Sequence, residues 1–257
     1  MRHPDLAGTT IREASAGRKG GCLQTTSVAC MHGTFVAGIL SARRASVTPG
    51  ICPDCTLVVR PIFSDLIPNE AETPTATPEE LASAIVDCMA AGAQVLNLSV
   101  GLIRPSIRGE RLLQEALDAA TRQGVLVVAA AGNQGTVGSS TITRHPWVIP
   151  VVACNVRGVP LEYSNLGCSI GTQGLCAPGE RVMSLGIDEN GVALEGTSVA
   201  TPFVTGTIAL LWSLFPNIQA TRVRFAVTRG SSARARTVVP PLLNAWNAYQ
   251  SMVQAYS

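Results

Sequence analysis

The chain contains 257 residues, of which 46% are hydrophobic and 14% are charged, and its formal net charge is +2. This length and composition predict one compact domain over residues 1–257 and exclude an intrinsically disordered chain. The small net charge, without a basic stripe interleaved with aromatic residues, argues against a nucleic-acid partner. No apolar run reaches membrane-spanning length without interruption, and no signal peptide follows Met1, so we expect no membrane partner and favour a cytoplasmic location.

In chain order, apolar strands alternate with helices, and glycine or proline separates most of them. The predicted strands cover residues 56–63, 93–101, 125–131, 147–152, 161–164 and 181–183. The predicted helices cover residues 78–91, 108–123, 218–229 and 242–255, together with two apolar helices that begin near His32 and Ser198. Strands that alternate with helices of this length are typical of βαβ units, so we predict an α/β fold with a mostly parallel sheet.

Eight cysteines occur in the chain, and only Cys52-Pro53-Asp54-Cys55 forms a C-x-x-C motif. A zinc ribbon requires a second such pair, so zinc binding is disfavoured, and thioredoxin-like redox chemistry is disfavoured further. Cys88 falls within a helical pattern and is expected in the core. Three pairs are close enough for local disulfides, and the sequence alone does not decide whether they form: 22/30, 52/55 and 168/176.

A serine stands before the longest apolar run of the chain, in Gly196-Thr197-Ser198. We expect Ser198 at the N-terminus of a buried helix, with Pro202 in the first turn, where its missing N–H costs little. Unpaired backbone N–H groups and the positive end of the helix dipole meet at this position. These N–H groups and the dipole favour an ordinary helix-capping serine. They would equally stabilise the oxyanion that forms when a serine attacks a carbonyl.

Two further polar residues stand where helices and strands end. His32 opens an apolar helix, as Ser198 does, and a base on one helix end reaches a nucleophile on another if the two helices converge. Asn133 follows the strand over residues 125–131 in a glycine-rich loop, and ligands of α/β sheets collect at such strand ends. Each of the two also has an ordinary structural interpretation, as a core histidine and as a turn residue.

Taken together, six stretches resemble subtilisin-like serine proteases, in that family's order and over nearly the whole chain. They are His3-Pro4-Asp5-Leu6, His32-Gly33-Thr34, Leu96-Asn97-Leu98-Ser99, Ala130-Ala131-Gly132-Asn133, Ala177-Pro178-Gly179 and Gly196-Thr197-Ser198-Val199-Ala200-Thr201-Pro202. The resemblance implies a three-layer subtilisin-like fold, with a mostly parallel sheet flanked by helices. It also implies a monomer that cleaves peptide or protein substrates and requires no cofactor, with calcium left open because many family members bind it at the position of Asp5.

The resemblance further implies a role for individual residues. Ser198 corresponds to the nucleophile, His32 to the general base, and Asn133 to the side-chain donor of the oxyanion hole, next to the Ser198 backbone N–H. The edge that pairs with substrate backbone corresponds to Leu98, Ser99, Val100 and Gly101. The wall of the primary specificity pocket corresponds to Ala130, Ala131 and Gly132, whose small side chains suggest room for a sizeable apolar group.

One part of the family pattern is missing. The family's catalytic aspartate lies on a strand just upstream of the turn that matches His3-Pro4-Asp5-Leu6, whereas only Met1 and Arg2 precede that turn here. Asp5 belongs to the turn itself and is not a triad member. We therefore expect either that the sequence starts downstream of the natural start or that the chain is an inactive relative that binds peptides.

A narrower resemblance concerns residues 50–65 and 81–100, which are similar to the protease domains that mature cyanobactin-type ribosomal peptides. Some of those enzymes cleave a leader peptide, and others cyclise the product by transamidation. Macrocyclisation needs an acyl-enzyme shielded from water, and the sizeable loop over residues 64–78 is the candidate lid.

Overall fold

Strands and helices alternate along the chain as the sequence predicts. The computed structural model describes residues 3–14, 27–63, 76–100, 107–188, 191–229 and 237–256. The strands are β1 (Ile11–Glu13), β2 (Leu57–Val59), β3 (Val95–Leu98), β4 (Leu126–Ala130), β5 (Val148–Cys154), β6 (Leu175–Pro178), β7 (Val182–Leu185) and β8 (Gly191–Leu194). The helices are α1 (Val28–Ser41), α2 (Pro78–Ala90), α3 (Ile107–Gln123), α4 (Thr141–Arg144), α5 (Cys168–Gln173), α6 (Thr197–Leu214), α7 (Ala220–Arg229) and α8 (Ala245–Tyr256), and a 3-10 turn, Pro4–Leu6, precedes β1.

A four-stranded parallel sheet lies at the centre, in the order β3-β4-β5-β6. Every residue of β4 and β5 is buried, because parallel strands covered on both faces have no solvated side. β1 and β2 form a separate parallel pair, and β7 and β8 form an antiparallel hairpin. Within the described ranges, β2 and β3 do not pair with each other, so each has an open edge.

Successive residues of β4 face two different layers of helices. Leu126 and Val128 pack in one core with α6, α7 and α8, whereas Val127 and Ala129 pack in another with α2 and α3. Side chains along a strand point alternately to its two faces, so helices cover both sides of the sheet. The predicted three-layer α/β fold is therefore confirmed.

Helix α6 runs through the first of these cores. Its length and hydropathy would suffice for a membrane span, and it is the only helix in the described part of the chain for which this holds. However, 61% of the apolar stretch is buried inside the fold, as in the central helix of a globular protein. Its small and branched residues, including Ala200, Val204 and Ile208, pack directly on the sheet.

Several local predictions are corrected. Helix α1 begins at Val28, where the Ser27 side chain caps it, so His32 lies in the second turn and not at the start. Residues 161–164 form a turn and not a strand, since the Ser164 N–H donates to the Leu161 carbonyl. Pro202 is the sixth residue of α6 and therefore lies beyond the first turn.

Two of the three possible disulfide pairs, 52/55 and 168/176, are reduced in this structure. Six of the described cysteines are free thiols: Cys52, Cys55, Cys88, Cys154, Cys168 and Cys176. Cys30 is disulfide-bonded. Cys22, its predicted partner, lies outside the described residues. Cys88 is half-buried at the margin of the α2–α3 core.

Candidate active site

Two helices that carry predicted site residues pack directly against each other. Phe35 of α1, which is fully buried, shares an apolar cluster with Val199 of α6. His32 lies nearly one turn before Phe35, and Ser198 is the neighbour of Val199. The cluster therefore places His32 and Ser198, the predicted base and nucleophile, on adjoining helices, although no hydrogen bond joins the two side chains in this structure. In unliganded proteases, such bonds often form only with substrate.

The imidazole of His32 is half-buried and partly shielded from water. Burial lowers the pKa of His32 below its usual value of 6.5, because the protonated ring is poorly solvated there. No carboxylate of the described residues contributes to this pKa. His32 is consequently neutral at pH 7 and able to accept a proton, but the described part of the chain supplies no acid that would stabilise the imidazolium.

Ser198 is half-buried in the first turn of α6, where a proline changes the backbone hydrogen bonding. Pro202 has no N–H to donate to the Ser198 carbonyl four residues earlier. The Ser99 hydroxyl donates to that carbonyl instead, at 2.7 Å. Ser99 follows β3, so this bond joins the Ser198 peptide group to the carboxyl end of that strand.

The bond from Ser99 belongs to a short network of side chains. The Asn97 amide donates to the Ser99 hydroxyl at 2.8 Å, and the Thr205 hydroxyl donates to Asn97 Oδ1 at 2.9 Å. Asn97 is a polar residue in an otherwise apolar strand, and both its amide nitrogen and its amide oxygen are hydrogen-bonded. The network therefore fixes the first two turns of α6 against β3.

We expect Ser99→Ala to lower the free energy of unfolding by about 1–3 kcal/mol, because it leaves the Ser198 carbonyl without its hydroxyl donor. In a Pro202→Ala background the cost should be smaller by about 1 kcal/mol, since a backbone N–H at position 202 then reaches that carbonyl. Urea unfolding of the four proteins measures this coupling. If Ser99→Ala lowered the free energy of unfolding equally with Pro202 and with Pro202→Ala, the proline would not be the reason that the Ser198 carbonyl depends on Ser99.

Asn133 is held by one end of its amide while the other end stays free. Its Oδ1 accepts from both the backbone N–H and the hydroxyl of Thr197, each at 2.9 Å. The Thr197 hydroxyl in turn accepts from the Gly132 N–H at 3.2 Å. Asn133 is exposed, and its Nδ2 donates to no acceptor within the described residues. The hydrogen bonds from Thr197 therefore hold Asn133 so that the two N–H groups of its Nδ2 lie free beside the start of α6.

A second free donor lies in the same turn. The N–H groups of Val199 and Ala200 both donate to the Gly196 carbonyl, and that of Thr197 is taken by Asn133. The Ser198 N–H has no partner in the described part of the structure. Gly196 adopts φ +126°, and a Cβ there would come within 3.0 Å of Asn133 Nδ2, so only glycine leaves the Asn133 amide this close to the turn.

The predicted pocket wall is present but partly filled. Ala130 and Ala131 are buried, and Gly132 adopts φ +105° beside two amide side chains. Asn165 Nδ2 donates to the Ala131 carbonyl and to Gln134 Oε1, at 3.1 and 2.7 Å, and a Cβ on Gly132 would collide with both amides. A hydrogen-bonded pair of amides therefore occupies the space beside Gly132, and room for a sizeable apolar group along this wall stays a prediction.

The predicted substrate edge lies at the end of β3. Leu98 is buried: its backbone pairs with Ala129 of β4, and its side chain packs in the core with α2 and α3. The Ser99 hydroxyl is hydrogen-bonded to the Ser198 carbonyl, and Val100 is half-exposed. The open edge of β3 leaves the backbone of these residues as a place where an extended peptide could add. Gly101 lies outside the described residues.

Asp5, at the position where calcium is bound in similar proteins, is already paired. Its two carboxylate oxygens accept from the Ser46 hydroxyl at 2.6 Å and from Arg43 Nε at 2.7 Å. These donors lower the pKa of Asp5, the Ser46 hydroxyl most strongly. Calcium takes six to eight oxygen ligands, and a guanidinium repels it, so the residues around Asp5 do not fit that ion. The described residues also contain no group of three or more His, Cys, Asp or Glu side chains suited to a metal.

Sequence reasoning missed three residues that shape this site. They are Thr197, which clamps Asn133, and Asn97 and Thr205, which hold Ser99. Only Asn97 carries a signal in the sequence, since an asparagine within a buried strand must find hydrogen-bond partners. Threonines in a helix are too common to indicate such contacts.

Comparison with known proteins places the chain near one group of peptidases. A family model described as the subtilase family matches residues 2–241. Over 198 residues the chain is 32% identical to subtilisin DY from Bacillus licheniformis, which covers 75% of the chain and 67% of that relative. Over 194 residues it is 31% identical to a thermostable alkaline protease from Halalkalibacterium halodurans, and it spans only 50% of that protein's length.

Solved structures give a likeness over nearly the whole chain. A serine-to-alanine mutant of the protease domain of PatA superposes with a TM-score of 0.81 at 29% identity, over 98% of this chain and 91% of that one. Prenylagaramide maturation protease PagA gives 0.80 at 26% identity, over 97% and 88%. The shared fold therefore includes the elements that carry His32, Asn133 and Ser198.

Proposed function

The chain belongs to the subtilase family, and we propose that it is a serine endopeptidase that forms an acyl-enzyme on Ser198. In this mechanism, His32 takes the proton from the Ser198 hydroxyl as its oxygen attacks a peptide carbonyl, and later returns it to the leaving amine. Asn133 Nδ2 and the Ser198 N–H donate to the oxyanion. The observation that carries the proposal is this pair of unpaired donors beside a serine at the N-terminus of a buried helix.

The third triad member would be an aspartate on an additional strand, upstream of residue 3. Two observations support this part of the proposal. β2 and β3 each have an open edge within the described sheets, which a further parallel strand could occupy. The ring of half-buried His32 also lacks a carboxylate partner among the described residues. An aspartate there would raise the pKa of His32 and fix its tautomer.

Peptides or proteins are the proposed substrates, and a ribosomal-peptide precursor is the second candidate. The likeness to PagA, described as a maturation protease, supports this candidate because it extends over 97% of the chain. A leader-cleaving protease needs only the site described above, whereas a macrocyclase also needs a water-excluding lid. The predicted lid over residues 64–78 falls mostly outside the described residues.

A fluorophosphonate probe tests the proposal. We expect it to label Ser198 in the natural full-length protein, including whatever residues the gene encodes upstream of Met1, and a precursor peptide to be cut at one site. A folded full-length protein that resists the probe would instead support the alternative, a catalytically inactive peptide-binding relative. Such a relative predicts saturable peptide binding at the β3 edge, unchanged by Ser198→Ala. The single-domain organisation, monomeric state and cytoplasmic location stay predictions.

A further inference from the structure

Two free thiols, Cys52 and Cys55, lie in one tight turn between α1 and β2. The Cys55 N–H donates to the Cys52 carbonyl at 3.0 Å, which closes a four-residue turn around Pro53 and Asp54. The ends of such a turn are less than about 7 Å apart at Cα, and disulfides form at about 4.4–6.8 Å. Within this turn the Cys52 and Cys55 side chains interact with each other, and the interaction shifts their pKa values in opposite directions.

The two sulfurs differ in access and in acidity. Cys52 is 4% exposed, whereas Cys55 is half-buried and reaches solvent. The hydrogen bond from Cys52 lowers the pKa of Cys55 to about 7, against burial and the negative charge of Asp54. The same bond, with burial, raises the pKa of Cys52 above its usual range, and Arg44 opposes this only weakly. The accessible Cys55 therefore ionises readily, and the buried thiol of Cys52 lies beside it.

The turn is also part of the framework that holds α1. The N–H groups of Ile51 and Cys52 donate to the Ile39 and Leu40 carbonyls, at 2.8 and 2.7 Å. These are carbonyls of the last turn of α1, which lack partners within the helix. The pair is therefore anchored at the far end of the helix that carries His32.

We propose that Cys52 and Cys55 form a reversible dithiol–disulfide site that reacts with low-molecular-weight disulfides of the glutathione class. The Cys55 thiolate attacks one sulfur of oxidised glutathione, and the first glutathione leaves as a thiolate. Cys52 then attacks the Cys55 sulfur, and the second glutathione leaves. In total, two cysteine thiols lose two protons and two electrons, and one oxidised glutathione becomes two reduced molecules. This site is independent of the proposed peptidase activity.

Oxidised glutathione and peptide mapping by mass spectrometry test the proposal on the intact chain. We expect a Cys52–Cys55 disulfide without a lasting glutathione adduct, fully reversed by reduced glutathione. Cys52→Ser should instead accumulate one glutathione on Cys55, because the resolving thiol is gone. Cys55→Ser should leave Cys52 unmodified, because that thiol is buried. A matched Cys168→Ser variant, which removes an exposed free thiol elsewhere, should behave as the unaltered protein does.

Alkylation kinetics provide a second readout that does not depend on disulfide formation. The rate at Cys55 should be half-maximal near pH 7 and, at that pH, about threefold higher than for an unperturbed exposed thiol, because greater ionisation outweighs the lower nucleophilicity. In Cys52→Ser the midpoint should move up, since a hydroxyl replaces the thiol donor. A glutathione adduct that persists in the unaltered protein, or a midpoint at the ordinary thiol pKa, would overturn the proposal.

Discussion

Ser198→Ala in the natural full-length protein should abolish peptide hydrolysis, with a fall in kcat of about 10⁶-fold. In subtilisin, loss of the serine nucleophile costs about 2 × 10⁶ in kcat, and the remaining rate comes from the oxyanion hole and from substrate binding. In the proposed mechanism Ser198 is the nucleophile, and Asn133 Nδ2 and the Ser198 N–H, which have no partner among the described residues, donate to the oxyanion. Steady-state kinetics on a peptide substrate, together with fluorophosphonate labelling, measure the loss.

A matched control lies on the same helix. Ser213 is exposed near the end of α6, where its hydroxyl donates only to the Leu210 carbonyl, so Ser213→Ala should leave kcat unchanged. His32→Ala should cost about as much as Ser198→Ala, and the double variant should be no slower than either, because the pair acts as one unit. Hydrolysis that survives Ser198→Ala at the original rate would contradict the acyl-enzyme mechanism.

Local patterns in the sequence were sufficient for the fold, and the same patterns single out the three proposed site residues. Long apolar runs separated by glycine define β4, β5 and α6, because burial on both faces requires such runs. The ends of these runs are where Asn133 and Ser198 stand. The resemblance to subtilisin-like proteases, drawn from six short motifs, is confirmed by the family match over residues 2–241.

The contacts that tune the site could not be predicted, since they join residues far apart in the chain. Ser99 and Ser198 are 99 positions apart, and Asn133 and Thr197 are 64 apart. Pro202 illustrates the difference. The sequence shows a proline in a helix, but only the fold shows that the Ser99 hydroxyl donates to the Ser198 carbonyl, which the proline leaves without a backbone donor. The filled space beside Gly132 is likewise a tertiary effect, produced by Asn165 from another loop.

Asn133→Ala should lower kcat by about 10²–10³ with little change in KM, the range found when an oxyanion donor is removed from subtilisin. The effect falls on kcat because the oxyanion exists only in the transition state. Asn244→Ala is the matched control: Asn244 is exposed, accepts from the Asn247 N–H at the start of α8 and lies outside the proposed site. Pre-steady-state kinetics on an ester substrate separate acylation from later steps.

Two further variants separate the free end of the Asn133 amide from its anchored end. Asn133→Asp keeps an oxygen for the Thr197 N–H and hydroxyl but places a carboxylate oxygen where Nδ2 faces the oxyanion, so it should be at least as slow as Asn133→Ala while remaining folded. Thr197→Val removes one of the two anchoring bonds and should cost only about fivefold in kcat, the equivalent of about 1 kcal/mol. If Asn133→Asp retained full activity, Asn133 would be a structural clamp for α6 and the oxyanion would have to be stabilised by other donors.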